Sequence, residues 1–409
     1  MGTQAQILLT RQPIFDAHQK VVAYELLCQS ESIQQLVSAE DDSLSSAAVL
    51  DAYTSISDQG EVKRVPAFIS LSFALLKQTG LPGLPKKQVI LEFSLRGADP
   101  KDALRNLLPL INEGYRVSVS NVDDPEAFSS LLKLVYLIKV SVDGKSPDEI
   151  HALQQHLAPW KRPLMATHIS DYETLELCVS SKFSLFQGNF LSKPRAMPGQ
   201  KVKANQVVLI QLLQILGDPK ATPEKIEKLI LQDPVLTYKL LRIVNSAAYA
   251  LVREVESVAQ AVVLLGLEQV RKWATVISLD AHTGKPEELT RNLLTRAHMC
   301  ELIAAKQKRL PHSSYFMVGM MSGIHLLLDI QQDELLQQLP LADDIKEAIS
   351  QYSGPLGDIL SQVMSYESGE WDKLPADFDG ELYENAYRGG LKLTKESMQA
   401  LYDTASSYS

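Results

Sequence analysis

The chain has 409 residues, 45% of them hydrophobic and 22% charged, with a net charge of -9 at neutral pH. That length exceeds the roughly 250 to 300 residues at which single cores stop growing, so two domains are expected. The acidic balance excludes the basic stripe that nucleic-acid binding needs, and apolar runs such as Leu134 to Val140 and Ala261 to Leu267 fall well short of the roughly 18 to 20 residues of a membrane span.

The first residues, Met1 to Gln6, lack the basic and long apolar regions of a secretory signal, and Gln6 does not suit myristoylation. A cytoplasmic location is the expectation. The cysteines, Cys28, Cys178 and Cys300, are isolated within apolar segments and read as reduced, buried small hydrophobes. The Lys306 to Arg309 cluster reads as the solvated last turn of a helix.

Short β-like runs alternate with amphipathic helical stretches from residue 5 to about residue 190. Strands are expected at Ile7 to Leu9, where Arg11 to Asp16 continues the segment, and then at Val22 to Leu27, Ala67 to Leu71 and Val89 to Phe93. Further strands follow at Arg116 to Val119, Leu137 to Val140, Leu164 to Ala166 and Phe183 to Phe186. Between them, helices are expected at Ser46 to Ile56, Pro100 to Ile111, Pro125 to Lys133, Pro147 to His156 and Tyr172 to Val179. Several of these open with Asp or Ser followed by Pro. The alternation implies a mostly parallel sheet with crossover helices, and so many strands in so short a stretch favour a compact (β/α) barrel. Such barrels carry their chemistry at the C-terminal ends of the strands.

Ser192 to Gln200 is dense in Pro, Gly and charge and reads as a linker. The expected boundaries are residues 1–192 for the barrel, 193–200 for the linker and 201–409 for an all-helical domain. Helices are expected there at Val207 to Leu216, Pro223 to Leu231, Pro234 to Val244, Ser257 to Gly266, Leu267 to Leu279 and Glu287 to Lys308. Tyr315 to Leu328, Asp343 to Tyr352, Leu356 to Ser365 and Lys395 to Ser406 complete the bundle.

In the first half, Arg11-Gln12-Pro13-Ile14-Phe15-Asp16 and Tyr24-Glu25-Leu26-Leu27-Cys28-Gln29 resemble the opening of the EAL family of cyclic di-GMP phosphodiesterases. In the second half, Asp233 to Thr237, Val244 to Tyr249, Ser257 to Val262 and Leu265-Gly266 resemble the HDOD family, a metal-free relative of the HD phosphohydrolases. The implied fold is α/β plus all-α, an N-terminal EAL-type (β/α) barrel followed by an all-helical HDOD domain.

Active EAL enzymes hold two divalent cations at the strand ends. By resemblance, Glu25 and Glu92 occupy two retained ligand positions, and Lys139 and Gln187 are also kept. Ser70 stands at an Asn position, Ser120 and Asn121 at an Asp pair, Ser141 at an Asp and Thr167 at a Glu. Gln29 stands where an Arg would grip substrate phosphate. Two dications about 3.8 Å apart repel by about 17 kcal/mol at an effective dielectric near 20, and two glutamates do not offset that. Glu25 and Glu92 are instead expected to pair with Lys139. Gln for Arg also removes a bidentate phosphate contact.

His168 is a lone histidine without a partner at metal-ligand spacing, and Asp123 and Asp124, before Pro125, read as an N-cap and first turn. In the helical half, Ser322 and Gly323 stand where HD enzymes have His-Asp. His298 falls near a first-His position, and His325 and Asp329, one turn apart, read as the polar edge of a core helix. No P-loop, G-x-S-x-G or dinucleotide fingerprint is present.

The expectation from these substitutions is a bacterial signal-transduction protein linked to cyclic di-GMP that is not an enzyme, takes no metal or cofactor, and acts by binding other signalling proteins. Binding of cyclic di-GMP without hydrolysis and a residual phosphodiesterase activity are the alternatives, and homodimerisation stays open.

Overall fold

The computed structural model describes residues 7–30, 65–78, 81, 83–194, 213–216, 218, 220–245, 255–283, 285–339 and 341–402. Eight strands close into a barrel in chain order. They are β1 (Ile7–Phe15), β2 (Val21–Ser30), β3 (Ala67–Ser70), β4 (Val89–Ser94), β5 (Arg116–Ser120), β6 (Leu137–Ser141), β7 (Leu164–Thr167) and β8 (Leu185–Phe186). β1 and β2 pair antiparallel because the five residues from Asp16 to Lys20 are too few for the crossover that parallel pairing requires. Asp16 fixes this turn, its Oδ1 accepting the amides of His18 and Lys20 at 2.9 Å each. From β2 to β8 every neighbour is parallel, and β1 closes the ring antiparallel to β8.

The crossovers carry α1 (Phe73–Gln78), α2 (Pro100–Asn112), α3 (Ser129–Leu132), α4 (Pro147–Leu157) and α5 (Tyr172–Ser180). Local chemistry sets their starts. Asp99 accepts the Asp102 amide before Pro100, Ser146 and Glu149 form a reciprocal capping box, and Asp171 accepts the Thr174 amide. The helix expected from Pro125 shrinks to α3. Asp124 caps a turn there, its Oδ1 accepting the Ala127 amide, and the buried Phe128 holds a non-helical backbone just before Ser129. The helix expected at Ser46 to Ile56 lies outside the described residues.

Period-two alternation builds the barrel interior in tiers. Ile14, Ala23, Phe68, Ile90, Leu137 and Met165 form one buried apolar cluster. The residue two positions further toward the C-terminal rim is Glu25 after Ala23, Ser70 after Phe68, Glu92 after Ile90, Lys139 after Leu137 and Thr167 after Met165. A polar tier therefore lies directly on an apolar floor.

The helical half contains α6 (Pro223–Leu231), α7 (Pro234–Val244), α8 (Val258–Leu265), α9 (Leu267–Thr283), α10 (Glu287–Lys306), α11 (His312–Met321), α12 (Ile324–Leu328), α13 (Gln332–Gln338), α14 (Asp343–Gln351), α15 (Gly354–Ser368) and α16 (Gly380–Tyr402). Thr222 and Ser257 cap α6 and α8 through their hydroxyls. The single helix expected from Tyr315 to Leu328 is broken at Ser322-Gly323, where Gly323 leaves helical backbone with φ of -120° and ψ of 10°. The last helix starts fifteen residues earlier than Lys395, at Gly380, and runs through Gly389-Gly390. Those glycines face α10 closely, a Cβ on Gly389 falling 2.9 Å from Leu302 Cδ1 and one on Gly390 falling 3.2 Å from the Thr295 carbonyl oxygen. Their poor helix propensity is outweighed by the packing they permit. α13 was not expected from the sequence. Of the expected Val207 to Leu216 helix, residues 207–212 lie outside the described residues.

The chain divides into two compact units. One is Met1–Lys193 with Glu367–Glu370 and Asp377–Glu384, and the other is Pro194–Tyr366 with Trp371–Ala376 and Asn385–Ser409. Among the described residues no single helix is long and apolar enough to cross a membrane.

Candidate functional site

The C-terminal strand ends of the barrel surround a cavity of about 580 Å³. At its base Lys139 Nζ lies 3.0 Å from both carboxylate oxygens of Glu25 and 2.5 Å from Glu92 Oε2. The three side chains are each no more than 10% exposed. Gln187 Nε2 donates to Glu25 Oε2 at 2.5 Å and to Gln12 Oε1 at 2.8 Å. Ser70 Oγ donates to Glu25 Oε1 and to Glu92 Oε2 at 3.4 Å each, and the Ser120 hydroxyl also hydrogen-bonds Glu92.

The two carboxyls differ in acidity. Burial pushes both up, but the Lys139 ammonium and the Gln187 hydrogen bond outweigh it at Glu25, which sits below its ordinary value. Glu92 is pushed up to about 7 by burial and by the neighbouring Glu25 charge, against the pull of Lys139. Burial alone would lower Lys139, and the two carboxylates raise it instead. Glu92 is thus a group that can give or take a proton near neutrality, held 2.5 Å from a fixed positive charge.

Above this base the substituted strand-end positions carry neutral side chains. Ser120, Asn121, Ser141 and Thr167 line the cavity. Ser141 Oγ and Thr167 Oγ1 each lie 3.2 Å from His168 Nδ1, and Asn121 Nδ2 donates to Ser94 Oγ at 2.9 Å. Asn121 and His168 both hold left-handed backbone, with φ of 53° and 61°. Gly188 is required at the rim, because a Cβ there would fall 2.2 Å from the Ile169 carbonyl oxygen. Gln29 lies in β2 opposite Leu8. Asp124 serves the turn before α3, as its spacing before Pro125 indicates.

Gln12 is the residue that sequence reasoning passed over as a site member. Its signal was register: β1 places Gln12 directly opposite Glu25, and period-two alternation sets it on the same interior face as Ile14. Asn189 and Asp143 also line the cavity and carried no such signal.

The residues do not fit two hard dications. Both carboxylates are already engaged by an ammonium, an amide and hydroxyls of the chain itself, and neutral hydroxyls replace the anionic oxygens such ions need. Among the described residues no group of three or more His, Cys, Asp or Glu side chains is arranged to hold a metal ion.

In the helical half Ser322 and Gly323 are taken up by local packing contacts. Ser322 Oγ donates to the Gly319 carbonyl at 2.8 Å and accepts from Arg296 Nη1 at 3.0 Å, while Leu293 occupies the space beside Gly323. His298 is buried edge-on against Phe316, 3.6 Å from Glu301, and burial holds its ring below the usual histidine value. Glu301 pairs at 2.6 Å with Lys272, whose ammonium lies 3.7 Å from the centre of the Phe316 ring. His325 is lowered to about 4 by burial and by Arg296. Asp329 turns to Lys285 at 2.6 Å.

Residues 204–351, which contain all of these helical-half positions, match the HDOD domain family. This stretch is an HDOD domain. Two relatives align through both the barrel and the HDOD half. Cyclic di-GMP phosphodiesterase CdgJ of Vibrio cholerae serotype O1 is 28% identical over 370 residues, 89% of this chain and 85% of that protein. The uncharacterized protein YuxH of Bacillus subtilis is 26% identical over 378 residues, 90% of this chain and 92% of that protein. Among solved structures, an EAL domain protein of Listeria monocytogenes matches 46% of this chain and 88% of its own at 17% identity and a TM-score of 0.35. Klebsiella pneumoniae BlrP1, in a calcium and cyclic di-GMP complex, matches 48% and 58% at 17% identity and a TM-score of 0.39.

The Vibrio cholerae relative overturns the expectation that the chain is not an enzyme, since a protein named as a phosphodiesterase aligns with 89% of it. That expectation set the substituted metal positions above the retained ones, whereas Glu25, Lys139 and Glu92 keep two buried carboxyls, one of them raised to about 7, around a fixed cation at the strand ends.

Proposed function

We propose that this chain works in cyclic di-GMP signalling, that the barrel mouth takes cyclic di-GMP, and that it hydrolyses the phosphodiester. The observation that carries this reading is the cavity at the C-terminal strand ends, where Ser120, Asn121, Ser141 and Thr167 offer neutral hydrogen-bond donors above a buried carboxyl raised to about 7. Hydroxyl and amide donors suit phosphate oxygens, and a carboxyl near neutrality suits proton transfer to or from the reacting oxygens. The name of the Vibrio cholerae relative supports the same substrate. We propose in addition that output passes to other signalling proteins through the HDOD half, a reading supported by the large apolar side chains left in solvent there, Val263 at 83% and Leu264 at 59% exposure.

The deciding experiment incubates the purified chain with cyclic di-GMP and follows the linear dinucleotide by chromatography. Product is expected, and Glu92→Gln should lower its rate by about 100-fold or more, the usual worth of a positioned acid or base. Neither binding nor product in the wild-type chain would refute the reading.

A further inference from the structure

The base of the barrel cavity is a closed electrostatic unit. Each oxygen of Glu25 receives a Lys139 hydrogen bond at 3.0 Å, Gln187 adds one at 2.5 Å, and Ser70 adds one at 3.4 Å. Glu92 receives Lys139 at 2.5 Å, Ser70 at 3.4 Å and the Ser120 hydroxyl. Lys139 reaches this point because alternation along β6 sets it on the interior face, two residues after the buried Leu137. Its side chain is 7% exposed and its Nζ lies 6.0 Å from the centre of the Phe68 ring, so the two carboxylates stand in for its water shell.

We infer that Lys139 Nζ is the resident cation of this site, a tethered ammonium between two carboxylates, and that the mouth takes its phosphodiester ligand without a divalent metal. The inference rests on the proposed cyclic di-GMP site and names how that site balances charge. Three physical points carry it. A dication entering beside Lys139 would meet an ammonium at contact distance, and that repulsion doubles with the ion's charge. A dication displacing Lys139 would leave a buried ammonium without its counter-charges, an arrangement proteins avoid. A covalently attached cation also competes at an effective concentration that a free ion in the cell does not match. The rim residues Ser120, Asn121, Ser141 and Thr167 add donors but no anionic oxygen, so they serve a phosphate group and not a hard metal.

The test uses the full chain, stripped with chelator, and reads binding as well as turnover. Cyclic di-GMP is titrated calorimetrically in EDTA and again in excess manganese chloride, and manganese alone is titrated into the wild type, Lys139→Arg and Lys139→Ala, with the free ion followed by electron paramagnetic resonance. Dinucleotide affinity should agree within about threefold between the two conditions. Manganese should leave the wild type and Lys139→Arg untouched and should bind Lys139→Ala, with two unpaired carboxylates, at least about tenfold more tightly. A requirement for manganese in dinucleotide binding, or manganese binding to the wild type as tightly as to Lys139→Ala, would overturn the inference while leaving the cyclic di-GMP reading intact. Absence of dinucleotide binding in both conditions would refute that reading, and the manganese titration would still decide the cation. Should Lys139→Ala fail to fold in EDTA, recovery of its melt in manganese is the same expected result, and the wild-type titrations decide independently.

Discussion

Glu92 is the residue whose environment departs furthest from its sequence context. In Leu91-Glu92-Phe93 it is one polar position in an apolar strand, and only the closed barrel brings Glu25, 67 residues away in the chain, against the same ammonium. The folded chain keeps the Glu92 proton up to about pH 7, whereas the unfolded chain releases it near 4.5. Stability from this group is therefore full below about 4.5 and is lost as pH rises to about 7, an effect of roughly 3 kcal/mol. Glu92→Gln should abolish that slope. Thermal melts of wild type and variant across this pH window check it, and a constant difference between them would count against the raised value.

At the scale of elements, the contact between α10 and α11 depends on small residues. A Cβ on Gly319 would fall 2.7 Å from Ala297 Cα and 2.9 Å from its amide nitrogen, both backbone atoms that do not move aside. Gly319→Ala should cost about 1 to 3 kcal/mol of stability through overpacking, in spite of alanine's better helix propensity. Gly83→Ala, where nothing lies within 4 Å, is the control and should be close to neutral. Urea denaturation of both variants measures the difference, and equal midpoints would show that the helices can separate at no cost. The same packing lets the last helix run through Gly389-Gly390, well before the Lys395 start expected from the sequence.

At the scale of the whole molecule, the barrel unit is assembled from three stretches of chain. Thr10 Oγ1 donates to the Glu367 carbonyl at 3.1 Å, and Gly369 approaches Leu27 closely enough that a Cβ would stand 3.0 Å from its Cδ1. A fragment of residues 1–193 lacks Glu367–Glu370 and Asp377–Glu384, so its circular-dichroism melt should fall below that of the barrel transition in the full chain. Coincident transitions would show that the two later stretches add nothing to barrel stability.

Sequence alone settled the eight strands, the change to an all-helical second half and the caps of several helices, because each follows from short-range periodicity and hydrogen-bonding chemistry. Its resemblance to the EAL motifs also pointed to Glu25, Glu92, Lys139 and Gln187, and alternation along the strands is what sets such residues on the interior face. Only the tertiary structure decided that Gln12 joins them, that Ser322-Gly323 breaks a helix, and that Glu92 holds its proton near neutrality. Those outcomes depend on the distances between groups remote in the chain and on the water excluded from around them, and neither quantity is written in local pattern.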